Sequence, residues 1–203
     1  MPPDLLRSCA CHGRCVLVFG VGLLMACEAD HTPLDDSPTD VHTSNERAVY
    51  AAVLAQAYGA SFYVIRDHTI AYSLDDSGEE LASLQTEMPD LPIDMVASFC
   101  VRSATPQPLS PDMDLGAPYK LVSDQELQEI FKDLDGWERF NEKFPDAKGE
   151  IGFTSVGFSS TEDEALVRWR HQWDWLAGDG GFILLVKVDG VWRVSNMLVT
   201  LRS

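Results

Sequence analysis

Positive charge is scarce in this chain: 15 lysines and arginines stand against 32 aspartates and glutamates, a net charge of −17. Such a surface repels phosphate backbones and anionic lipid head groups, so the expectation is no nucleic-acid partner. Paired cysteine motifs are missing. "CACHGRC", with Cys9, Cys11 and Cys15, has neither the C-x-x-C-H haem spacing nor a second ligand pair to close a zinc site. No G-x-S-x-G or H-E-x-x-H occurs, and the glycine-rich "AGDGG" (177–181) is followed by a strand-like run, with no P-loop lysine. These absences imply no cofactor and no metal, and they weigh against an enzyme, although an active site needs no linear motif. A long apolar run is lacking too. The longest N-terminal one, "CVLVFGVGLLMA" (15–26), has 12 residues, and a permanent membrane span needs about 20.

That short run has the layout of a secretory signal peptide over residues 1–26: Arg7 and Arg14 make a basic start, and small Ala26 precedes the cut. Leu24-Met25-Ala26-Cys27 resembles a bacterial lipobox and lacks the A-x-A pattern of an ordinary site. The expected partner is therefore a membrane, reached through diacylglyceryl on the Cys27 thiol, each buried methylene contributing about 0.8 kcal/mol. The domain would be exported and lipid-anchored at the cell envelope. Cleavage would leave 177 residues with 13 basic and 31 acidic side chains, and Cys27 and Cys100 as the remaining cysteines. With Cys27 alkylated no internal disulfide can form, and Cys100, set among apolar residues in "MVASFCVRS", reads as a buried inert thiol.

After Cys27, "EADHTPLDDSPTDVH" is acidic and carries two prolines, so residues 27–44 read as a flexible tether and 45–203 as a single domain. Thr43 with Glu46 reads as a capping box for a helix that Gly59 stops. "SFYVIRDHTIAY" (61–72) reads as a strand bent at Asp67-His68. Helices are expected over "SGEELASLQTEMP" and "LPIDMVASFCVRS". After the proline-rich loop 104–118 come a short strand "YKLV" and helices over "DQELQEIFKDL" and "GWERFNEKFP". From Ile151 strands dominate: "IGFTSVGF", "ALVRWRHQWDWL", "FILLVKV" and "VWRVSNMLVTL", with "AGDGG" and Asp189-Gly190 as hairpin turns. The class is α+β: an antiparallel C-terminal meander of about four strands packed against N-terminal and central helices on one face.

"RWRHQWDW" (168–175) holds three of the five tryptophans. In strand alternation Trp169, His171, Trp173 and Trp175 point one way and Arg168, Arg170 and Gln172 the other. The tryptophan row reads as core, with Trp173 and Trp175 as a possible binding rim near the hairpin end, and the arginines as solvated cross-strand partners.

Candidate chemistry is sparse. A lone histidine on an apolar face, His171, is ordinarily a satisfied core or edge residue. "RDHT" (66–69) reads as a strand bend held by Asp67; the sharper alternative is that Asp67, His68 and His171 converge into a small hydrolase site. "FKDLDGWERFNE" suggests an EF-hand, but Phe131 falls at its first ligand position and Arg139 at its ninth, which argues against calcium.

From about Trp137 onward the chain resembles a group of uncharacterised bacterial secreted proteins and predicted lipoproteins. The resemblance rests on Trp137, Phe140, Phe144, Pro145 and Gly149, on "SVGFS" (155–159) followed by "ALV", on "GGFILLVKVDGVW", and more loosely on "VIRDHT". It implies an exported α+β domain of unknown activity and supplies no catalytic residues. A weaker likeness is to NTF2-like folds, through Gly190, Trp192 and Val194. The reading that follows is a non-catalytic binding or scaffolding lipoprotein; the alternatives are the hydrolase, or a carbohydrate- or peptide-binding module using Trp173 and Trp175.

Overall fold

The computed structural model describes residues 39–59, 61–73 and 79–202. The signal peptide, Cys27 and most of the tether lie outside the described residues.

Among the described residues seven strands form one mixed sheet in the order β2-β1-β3-β5-β6-β7, with β4 added on β5. The strands are β1 (Phe62–Arg66), β2 (Tyr119–Val122), β3 (Ala147–Phe153), β4 (Gly157–Phe158), β5 (Glu164–Asp174), β6 (Ala177–Val188) and β7 (Val191–Arg202). The α+β class and the antiparallel meander β5-β6-β7 are as the periodicity implied. The other half differs: β1 runs parallel to both β2 and β3. Parallel neighbours need long crossovers, and the helices supply them. Helices α2 (Glu79–Glu87) and α3 (Ile93–Ser103) lie between β1 and β2; α4 (Asp124–Ile130) and α5 (Gly136–Lys143) lie between β2 and β3.

Helices cover both faces of the sheet, not one. Ala165, Val167 and Trp169 of β5 share a core with Val49, Tyr50 and Val53 of α1 (Thr39–Val53). Leu166, on the opposite side of the same strand, packs with Phe182 against Met95, Val96 and Phe99 of α3. A third cluster seats Leu127, Ile130, Trp137, Phe140 and Phe144 of the α4–α5 region on Val64 and Val122. A strand buried on both sides cannot be amphipathic, and the arginines adapt to this. Arg168 is half-buried, with its guanidinium carbon 4.5 Å from the centre of the Tyr72 ring. It stacks instead of facing water.

Helix α1 begins at Thr39, so residues 39–44, read as tether, are helical and Thr43 is not an N-cap. Glu46 acts across the fold: its carboxylate accepts from the Val156 backbone N–H at 2.7 Å and from the Tyr50 hydroxyl at 3.0 Å. A π-helical turn, Leu54–Tyr58, continues α1 and ends at Gly59 with φ 74°. From this turn Gln56 donates to the Trp192 carbonyl and accepts from the Val194 N–H, occupying part of the β7 edge. The Ser123 cap is present, its hydroxyl accepting from the Glu126 N–H at 3.1 Å.

"AGDGG" is not a turn. It opens β6, and the β5–β6 hairpin turns at Trp175-Leu176, between the paired Asp174 and Ala177. The glycines are there for close approach: a Cβ on Gly181 would lie 1.9 Å from the Leu198 carbonyl oxygen, beside a register shift in the ladder. Asp189-Gly190 does turn β6 into β7, both residues at positive φ.

Candidate functional site

Beneath the β5–β6 hairpin, where α4 and the start of α5 lean on the sheet, lies a cleft of about 320 Å³. Its floor is charged and its walls are aromatic. Arg66, the last residue of β1, and Arg170 of β5 come from strands on either side of β3, which contributes Glu150. Glu150 is 3% exposed. Its Oε1 accepts from Arg66 Nε at 2.6 Å and its Oε2 from Arg170 Nη2 at 3.3 Å. Arg66 Nη1 also donates to Asp124 Oδ1 at 2.7 Å, at the rim. A buried carboxylate persists only when paired, and here two guanidiniums hold it.

The walls are Leu127, Phe131, Trp137 and Trp175. Trp175 is held rather than loose: its indole N–H donates to the Leu134 carbonyl at 3.0 Å, and its ring meets Phe131 edge-on at 5.8 Å. It nevertheless remains 45% exposed. The register shift between Gln172 and Asp174 turns it to the side of Arg170 and Gln172, opposite Trp169. The three tryptophans therefore do not share a face. Trp169 is 1% exposed and belongs to the core; Trp173, 43% exposed, lies beside the His171 ring at 4.7 Å. Trp173 and Trp175 flank the hairpin on opposite sides and form no common platform.

The remaining candidates lie elsewhere. His171 is nearly buried; its Nε2 lies 2.8 Å from the Lys148 carbonyl oxygen and its Nδ1 faces Asp179 at 3.6 Å. It pairs in register with Ile151 of β3. Asp67 and His68 form their own pair, His68 Nδ1 to Asp67 Oδ1 at 2.7 Å, just past β1, where the Ile70 N–H donates to the carbonyl of Phe153, the last residue of β3. The "FKDLDGWERFNE" carboxylates Asp133 and Asp135 are taken by Arg139, which also donates to the Ile130 carbonyl.

The stretches quoted for the family resemblance have structural roles. A Cβ on Gly157 would lie 2.5 Å from the Phe99 backbone nitrogen, and Ser155 gives its carbonyl to the buried Ser103 hydroxyl. Trp137, Phe140 and Phe144 are core, and Gly149 takes a positive φ of 116° hard against Gln172. Of the cleft's charged groups, Arg66 stands within "VIRDHT" and Arg170 within the tryptophan-rich strand, while Glu150 belongs to no sequence motif. Comparison with protein-family models, with curated proteins and with solved structures finds no match.

Proposed function

We propose that this chain is an exported, lipid-anchored protein of the bacterial cell envelope whose domain binds a small ligand, without catalysis, in the cleft of Arg66, Glu150 and Arg170. The single observation that carries the reading is the cleft itself: convergent polar groups on rigid strands, apolar walls, and a volume at the lower end of small-molecule sites. Arg66, Glu150 and Arg170 are tied into ion pairs, which suits recognition better than proton transfer. The anchor rests on the Leu24-to-Cys27 lipobox-like run and on the basic and apolar residues before it.

Two experiments test the two halves. In a bacterial host, labelled palmitate is expected in the wild-type protein and absent from Cys27→Ala; incorporation that survives the substitution, or none at all, refutes the anchor. A fragment screen that follows the Trp175 indole N–H resonance is expected to find ligands that move it. A screen that moves only resonances remote from the cleft refutes the binding site.

A further inference from the structure

The chemistry of the cleft narrows its ligand, on the premise that the cleft is a binding site. A guanidinium has five N–H donors. Among the described residues, Arg66 directs two of them to carboxylates and Arg170 one. Arg170 is 40% exposed and lines the cleft, so its remaining donors face open space that a ligand can enter. Without Asp124, which sits 63% exposed at the rim, the floor has two cations against one carboxylate. With Asp124 in place the cleft is balanced, two cations against two carboxylates; a positive surplus arises when an incoming anion displaces the exposed Asp124 from Arg66, and low-dielectric walls concentrate it. The planar fork of arginine matches carboxylate and phosphate oxygens in pairs. Flat rings of Phe131 and Trp175 stand beside it. Trp137, 6% exposed, also lines the cleft, and its buried indole N–H has no acceptor among the described residues.

We infer that the cleft takes a small organic acid bearing a flat apolar group. The anion occupies the free donors of Arg170 and displaces Asp124 from Arg66; the flat group lies against Trp175 and Phe131. Glu150 stays in place and sets the spacing of the two guanidiniums.

The test is a titration of the protein with four probes, followed by tryptophan fluorescence: phenylacetate, phenyl phosphate, acetate and benzyl alcohol. One or both aromatic acids saturate, and the tighter identifies the anion as carboxylate or phosphate. Acetate and benzyl alcohol, each lacking one half of the pharmacophore, bind at least about tenfold more weakly. Arg170→Gln weakens the aromatic acids by at least about tenfold. Asp124→Asn, a surface change that leaves the fold intact, tightens them because Arg66 loses its competing partner. Equal binding of benzyl alcohol, or no effect of Asp124→Asn on acid affinity, overturns the anion reading while the cleft remains a binding site. Equal binding of acetate overturns the flat-group half. Failure of all four probes overturns the inference, and the fragment screen then decides separately whether the cleft binds anything.

Discussion

Glu150→Ala gives the sharpest structural prediction, because one substitution removes the acceptor on which two arginines converge. Glu150 is 3% exposed, and its loss leaves Arg66 and Arg170 facing each other across the site it vacates. Breaking a fully buried ion pair from one side costs about 3–5 kcal/mol. The arginine side chains are 24% and 40% exposed, so water replaces part of what is lost and the cost falls to about 2–3 kcal/mol. For a domain of this size that lowers the melting temperature by about 4–12 °C. Asp124→Asn is the matched control: it removes a partner of the same Arg66, but at 63% exposure the pair contributes no more than about 1 kcal/mol. Urea unfolding monitored by circular dichroism measures both, and Glu150→Gln, which keeps the volume and one of the two acceptor oxygens, falls between them. If Glu150→Ala and Asp124→Asn lie within about 0.5 kcal/mol of each other, the picture of a buried carboxylate organising the cleft floor is wrong.

Other outcomes follow from the same geometry. Iodide quenches the fluorescence of Trp173 and Trp175 and spares Trp137, Trp169 and Trp192, which are 6%, 1% and 4% exposed; the double variant Trp173→Phe/Trp175→Phe loses the quenchable fraction. Gly181→Ala puts a Cβ 1.9 Å from the Leu198 carbonyl oxygen, so it disrupts the β6–β7 ladder and costs several kcal/mol in urea unfolding; Gly190→Ala, whose Cβ meets nothing, costs only about 1 kcal/mol of backbone strain. Burial, then the charges of Asp163 and Asp94, hold the Glu164 carboxyl above the ordinary range. Its protonated form is therefore favoured by folding. The corresponding stability is present below the unfolded value of about 4.3 and is lost as pH rises through the folded value. Glu164→Gln is expected to flatten that part of the stability–pH curve and to raise stability at neutral pH; an unchanged curve contradicts it.

Much of the fold could be read from the chain because its C-terminal half obeys local rules. Alternation in Ala165–Trp169, the Asp189-Gly190 turn and the Ser123 cap each involve neighbours in sequence. Parallel pairing of β1 with β2 and β3 does not, since it joins segments separated by helices and no periodicity records it. The second buried face is hidden in the sequence for a chemical reason: arginine at 168 and 170 looks solvated, yet Arg168 stacks on Tyr72 and Arg170 reaches Glu150. Glu150 itself leaves no trace in a chain so rich in acids. Its burial is created by arginines on two other strands. Trp175 stands out in the sequence, but its placement depends on a one-residue irregularity after Gln172 that turns it away from the tryptophan row. Glycines 178, 180 and 181 look like a turn and serve as clearance for neighbouring backbone.

The most direct test of the cleft as the ligand site is the set of five indole N–H resonances, followed while phenylacetate or phenyl phosphate is added. The signals of Trp175 and Trp137, which line the cleft, should move together and saturate, while those of Trp169, Trp173 and Trp192 stay still. Movement of Trp173 with Trp175 unchanged would place the ligand on the other side of the hairpin and contradict the account.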